Sequence, residues 1–309
     1  MPPINRSIRQ IDENSWLIEE SLLLCRKQGL SSEVPSSDLT SWSDGNGGSF
    51  FLARAHAPLP ETRPLSDEND IQKVYDAGGV SAVWRAGEAF VKLKQTITPN
   101  ATREHTTLQF LRSKQPLDFN IPDLYYHTDI GNRYLVVLGR VAGYTLSDIW
   151  YEMGETRRQE CVCRIAKICI ELATWESETI GGIDGKQLTD QYLLKPAAEV
   201  NFDSNRLLKN CSDMGMDCSS LLFYHCDLGP GNILFDESDG SIGIIDWETA
   251  GYVPKEWIRT KFRCSSGMDL PDRAGHDIPR TDWRRRVSRE LERLGLPDVA
   301  ENWVAWHAT

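Results

Sequence analysis

Three oxygen-bearing side chains fall within the stretch FYHCDLGPGNILFDESDGSIGIIDWE, residues 223–248: Asp227, Asn232 five positions on, and Asp246. The apolar run Ile242–Ile245 reads as a strand ending at Asp246, Ile233–Phe235 as a second strand, and Ser238-Asp239-Gly240 as the turn between them. Asn232 then precedes one strand of a hairpin while Asp246 ends the other, which brings both side chains to the same open end. Two oxygen donors at that end form a hard-cation site, suited to magnesium carrying substrate phosphates. Asp227, on the loop before the hairpin, is placed to accept a proton from an attacking hydroxyl. Phosphoryl transfer asks little more of a protein than a metal, positioning and one group that orients the nucleophile.

The elements around this cluster follow from pattern. Ile71–Tyr75, Val80–Arg85 and Phe90–Lys94 read as three short strands separated by Ala77-Gly78-Gly79 and by a turn at Gly87. A helical segment with Arg103, Glu104, Leu108, Phe110 and Leu111 follows, and Tyr134–Gly139 is a strongly apolar strand. Beyond it a helix begins near Thr156 and carries Val162, Ile165, Cys169 and Leu172 on one stripe, and another spans 281–294 and closes at Gly295. Residues 11–29 are expected to form an amphipathic helix capped by Asp12 and ended by Gly29. From Ser31 to about Asp70 the composition turns to Ser, Pro, Gly and Asp, and Asp44-Gly-Asn-Gly-Gly48 reads as part of a flexible connector. The expected plan is 1–70 as helix and connector, 71–139 as a first lobe and 140–309 as a second.

Bulk properties exclude some classes. A chain of 309 residues with 40% hydrophobic and 26% charged residues can bury a core. A formal net charge of −11 argues against a nucleic-acid partner and leans toward cationic small molecules. No apolar run is long enough to cross a bilayer, and MPPINRSIRQ lacks a signal-peptide core, so a cytoplasmic location is expected. The eight cysteines contain no Cys-x-x-Cys pair and read as reduced thiols. Trp247, Trp257 and Trp283 read as core; Glu248, Asp148 and Glu152 read as solvated acids, with contact to a cationic substrate as the alternative.

The segment His225-Cys-Asp227-x-x-x-x-Asn232 resembles the catalytic loop of the protein-kinase-like superfamily, and Ile245-Asp246-Trp247 resembles its metal-binding segment. The longer string GNILFD…IGIIDWETAGYVPKEW is similar to the aminoglycoside phosphotransferase and choline kinase branch, its fungal members in particular. The likeness is detailed over 220–260 and looser over 71–260. It implies an α+β, bilobal protein-kinase-like fold, with a small N-terminal antiparallel-sheet lobe and a larger, mainly helical C-terminal lobe. It also implies an ATP-dependent phosphotransferase acting on a hydroxyl of a small molecule.

By that resemblance Asp227 is the catalytic base, Asn232 and Asp246 hold Mg2+, and His225 buttresses the loop. Lys92 would reach the ATP phosphates with Glu104 orienting it, and Lys94 on the same strand face is the competitor. Gly78 and Gly79 would form the phosphate loop, and backbone around Val137–Arg140, including Val137 and Gly139, would meet the adenine. Cys226 stands where the family usually has a small or polar residue, commonly Gly. It reads as a packing residue, with oxidation sensitivity as the alternative. The absence of an Ala-Pro-Glu element argues against a protein kinase, and a catalytically silent scaffold is the second reading.

Overall fold

The computed structural model describes residues 3–29, 38–66, 69–196 and 199–308. The chain divides into two compact units, Met1–Pro99 with Pro122–Arg140, and Asn100–Ile121 with Val141–Thr309. It has an antiparallel-sheet N-terminal region and a mainly helical remainder, the kinase-like architecture that the motifs imply.

The first unit is a sandwich of two antiparallel sheets. One contains β1 (Ile8–Asp12), β2 (Ser15–Ile18), β3 (Leu22–Gln28), β4 (Asp38–Ser43), β5 (Gly48–Arg54) and β6 (Arg63–Pro64), in the order β4-β5-β3-β2-β1-β6. The other contains β7 (Ile71–Asp76), β8 (Ser81–Ala86), β9 (Ala89–Gln95), β10 (Leu124–Ile130) and β11 (Arg133–Gly139), in the order β10-β11-β9-β8-β7. Trp16, Ile18, Leu24, Trp42 and Phe50 from the first sheet share one core with Trp84, Val91, Leu93, Leu135 and Val137 from the second.

The helix expected over 11–29 is therefore absent, and strands β1 to β3 occupy that stretch. Leu17, Ser21, Leu24 and Cys25 imitate helical spacing, but Trp16/Ile18 and Leu22/Leu24 also alternate, and alternation satisfies the sheet. The turn between β2 and β3 hides in the sequence because it uses glutamates: Glu19 and Glu20 take φ of 50° and 56°, and Ser21 N donates to Ile18 O. Positive φ at two successive residues matches the twist of tight hairpins, normally a task for Asn or Gly. Here Glu19 is anchored by a buried ion pair with Arg133 of β11, whose guanidinium also donates to Ser7 Oγ at 3.1 Å.

The Asp44–Gly48 stretch is likewise a built turn, between β4 and β5, rather than part of a connector. Asp44 Oδ1 accepts from the N–H groups of Asn46 and Gly48 at 2.7 and 2.8 Å, and Arg26 pairs with the other oxygen at 2.8 Å. Burial alone would raise the Asp44 carboxyl, but the two backbone donors and Arg26 together hold it below the usual carboxylate range. Residues 31–37, also assigned to the connector, lie outside the described residues.

The second unit begins with α1 (Glu104–Ser113), which the sequence reading had grouped with the first lobe. After it come β12 (Tyr144–Thr145), α2 (Leu146–Ile149), α3 (Glu155–Leu172), β13 (Glu176–Ser177), α4 (Ser204–Asp213), β14 (Leu221–Tyr224), β15 (Ile233–Phe235), β16 (Ile242–Ile244), β17 (Gly251–Pro254), α5 (Lys255–Cys264), α6 (Asp282–Arg293) and α7 (Ala300–His307). The strands form two small antiparallel sheets, β12-β15-β16 and β13-β14-β17. α3 buries the predicted stripe against β14 and α6, and α5 packs on β14, β17, α6 and α7. Trp247, Trp257 and Trp283 are fully buried, as expected of core residues.

Replacing Asp44 with Ala strands two backbone N–H groups and one side of Arg26. We expect a loss of about 2 kcal/mol in chemical denaturation; an unchanged midpoint would show that the turn does not depend on the carboxylate.

Candidate active site

Residues 233–235 and 242–244 pair antiparallel, Ile233 against Ile244, and Ile245 N donates to Asn232 O at 3.0 Å. Asn232 thus sits opposite Ile245, next to Asp246 at the open end of the hairpin. β12 adds a two-residue strand on the Ile233–Phe235 side, pairing with Leu234 and Phe235.

Asp227 is fastened from several directions. Asn232 Nδ2 donates to Asp227 O at 2.8 Å and to its Oδ2 at 3.3 Å. Asp227 N donates to His225 Nδ1 at 3.2 Å, which places the imidazole proton on Nε2, 3.0 Å from Ile245 O. The fully buried His225 ring, 4.5 Å from the Trp247 ring centre, therefore ties the Asp227 loop to the strand that delivers Asp246. The Asn232 nitrogen is thus occupied, and among the described residues its carbonyl oxygen accepts no hydrogen bond.

Two residues here hold left-handed backbone without being glycine: Cys226 and Asp246, each with φ 63°. Asp tolerates that region, whereas for Cys it costs on the order of 1–2 kcal/mol. Glycine at position 226 would adopt this backbone without that cost. The Cys226 thiol is fully buried, and burial pushes its pKa well up, so it is an inert packing group rather than an oxidation-sensitive one.

Glu104 opens α1 and is 2% exposed, with Oε1 accepting from Trp247 N at 3.1 Å. Carboxylate oxygens of Glu104, Asp246 and Glu248 all lie within 4.8 Å of one another. Glu248 is thus a third acid of the cluster, where the sequence reading had favoured a solvated role.

Burial pushes the Asp227 carboxyl up to about 6; Lys261 opposes the rise, and Asp246, Asp190 and Glu248 add to it. Neither Lys261 nor Asp190 stood out in the sequence. They form a buried ion pair, Asp190 also accepts from Trp257 Nε1 at 2.9 Å, and the Lys261 ammonium lies 4.2 Å from the Tyr192 ring centre. Burial would lower the Lys261 pKa, but Asp190 more than offsets this and holds it above its ordinary value.

The remaining predicted residues belong to the first unit. Lys92 and Lys94 both project from the β9 face opposite Val91 and Leu93, and Lys92 is flanked across the sheet by Val83 and Val136. Gly78 (φ 66°) and Gly79 form the turn between β7 and β8. The Val137 side chain is in the sandwich core. Gly139 N donates to Asp123 O and Arg140 N to Glu88 O. A side chain at Gly139 would meet Asp123 Cβ at 2.9 Å, which accounts for the glycine.

Comparison with known proteins follows the same line. Residues 73–254, more than half of the chain, match the phosphotransferase enzyme family, and the chain belongs to that family. Among solved structures it is similar to the aminoglycoside phosphotransferase APH(3'')-Id of Streptomyces rimosus, with 14% identity, coverage of 76% of this chain and 91% of that one, and a TM-score of 0.50. It also matches the streptomycin–ATP ternary complex of APH(2")-IIa, with 14% identity, coverage of 72% and 77%, and a TM-score of 0.48. At this identity the likeness concerns the fold. No sequence among curated proteins matches the chain.

The replacement Lys261→Met removes the positive charge that opposes the Asp227 shift. The Asp227 titration, followed through its carboxyl carbon resonance, should move above 6, and stability should fall by about 3 kcal/mol because Asp190 stays buried without its partner. An unmoved titration would separate the ion pair from Asp227.

Proposed function

We propose that the protein transfers the γ-phosphoryl group of ATP to a hydroxyl of a small molecule, with Asp227 as the base and Asn232 and Asp246 as the magnesium ligands. The observation that carries this reading is the Asp227 carboxylate, held by Asn232 at the open end of the hairpin that also presents Asp246 and its neighbouring acids. Family membership supports the same reaction class.

Asn232 Oδ1 and the oxygens of Asp246 and Glu248 suit a hard cation, which would neutralise charge on the nucleotide phosphates. In the transfer the acceptor O–H gives its proton to Asp227, the alcohol oxygen bonds to the γ-phosphorus, and the bond from that phosphorus to the β–γ bridging oxygen breaks, leaving ADP. Asp227 is well matched to the task, since a carboxyl near 6 is largely ionised at neutral pH yet more basic than a solvated one. His225 keeps the loop in register, and Lys92 is assigned to the ATP phosphates, with Gly78 and Gly79 beside them. Glu104, assigned by the resemblance to orient Lys92, shares the acid cluster with Asp246 and Glu248. The chain's negative charge favours a cationic acceptor. Within the family, the choline kinase-like and fungal-type branch is the assignment that the string IGIIDWETAGYVPKEW supports.

The decisive assay is ATP consumption across a panel of hydroxyl-bearing metabolites. Asp227→Asn should lower turnover by about 10²–10⁴-fold with nucleotide binding retained; full activity would remove the base assignment. Protonation removes the base, so kcat/KM should fall on the acid side with an apparent pKa near 6, the value set by burial of Asp227. Nucleotide binding without turnover on any acceptor would favour the silent scaffold.

A further inference from the structure

α5 and α6 enclose a depression of about 430 Å³ whose wall includes Arg259, Arg263, Arg284, Arg285, Arg289 and Ser288. Five guanidinium groups around one concavity are unusual in a chain of net charge −11. Three of them are fixed by the protein. Arg259 pairs with Glu292 at 2.9 Å and Asp298 at 3.1 Å and donates to Ser288 O; Arg263 pairs with Asp298 at 2.9 Å; Arg284 pairs with Asp269 and donates to Arg263 O at 2.8 Å. Arg285 and Arg289, one turn apart on α6, make no salt bridge or side-chain hydrogen bond with any described residue.

Their nearest acidic neighbours on the helix are committed elsewhere: Asp282 to Arg286, Glu290 to Arg293 and Glu292 to Arg259. Counting the pairs, three carboxylates answer five arginines, and two positive charges are left over. A solvated helix face would explain two exposed arginines alone. It does not explain why they border a cavity whose other three cations are already held in place.

We infer that this depression is an anion site, separate from the Asp227 cluster, that takes the dianionic phosphate of a phosphorylated small molecule. A phosphate monoester carries the two negative charges that the excess requires, and guanidinium forks match its oxygens in paired hydrogen bonds. The volume is in the range of small-ligand sites. Arg285 and Arg289 supply the attraction, while Arg259 and Arg284 supply rigid walls that need little ordering when the ligand arrives.

The test is calorimetric titration of the full chain with inorganic phosphate at constant ionic strength and pH 7.5, without nucleotide. Wild-type protein should show a saturable site, and Arg285→Gln/Arg289→Gln should weaken it about tenfold or more. Both positions are exposed, so the double variant should keep its fold, checked by circular dichroism. Lys92→Ala should retain the site. Loss in Lys92→Ala with retention in the double Gln variant would place the phosphate at the nucleotide site and overturn the inference. So would a wild-type titration without saturation, or tighter capture of a glutamate-rich peptide than of phosphate. None of these outcomes bears on turnover by Asp227, so the two assignments stand or fall separately.

Discussion

The His225 imidazole is the pivot of the second unit. One ring nitrogen receives the N–H of Asp227 and the other donates to the carbonyl of Ile245. A single side chain thereby sets the register between the loop carrying one acid and the strand carrying the other. Because the ring is fully buried against Trp247, it has little freedom to tilt, and any shift of the loop is passed to the strand. The left-handed backbone at Cys226 and Asp246 lies one residue from each end of this tie, and strain of that kind persists only where the surroundings over-determine the conformation.

Around the tie, charge and burial oppose one another. Asp227 is pushed toward its neutral form by desolvation and by three nearby acids, and Lys261 pulls it back. Lys261 itself remains charged in the interior because Asp190 meets it, and Asp190 is satisfied in turn by Trp257 and by the backbone N–H of Tyr192. The arrangement runs from α5 through a loop to the Asp227 carboxylate.

Much of the candidate site was legible in the sequence because it is local. Asp227, Asn232 and Asp246 span twenty residues, and an apolar strand, a turn and a second strand fall between Asn232 and Asp246 in an order that brings both to the open end of one hairpin. Asp190 and Lys261 were not legible, being 71 residues apart and bearing no spacing that marks either. Glu248 was visible as an acid but not as a neighbour of Glu104, since their approach depends on how α1 packs against the turn after Asp246. The helix expected over 11–29 failed for a similar reason. Its apolar positions fit both periods, and only the pairing of β3 with β5 and the Glu19–Arg133 ion pair decides between them.

The six-stranded sheet of residues 8–64 lies wholly before the family match, which begins at residue 73. Its Trp16, Trp42 and Phe50 cover the same side of β8, β9 and β11 that carries Trp84, Val91 and Val137. A gene fragment trimmed to the start of the family match would strip this cover and leave a bare tryptophan- and valine-rich surface. For anyone choosing where to start an expression vector, residues 8–64 are half of a hydrophobic interior and have to travel with the part that matches the family.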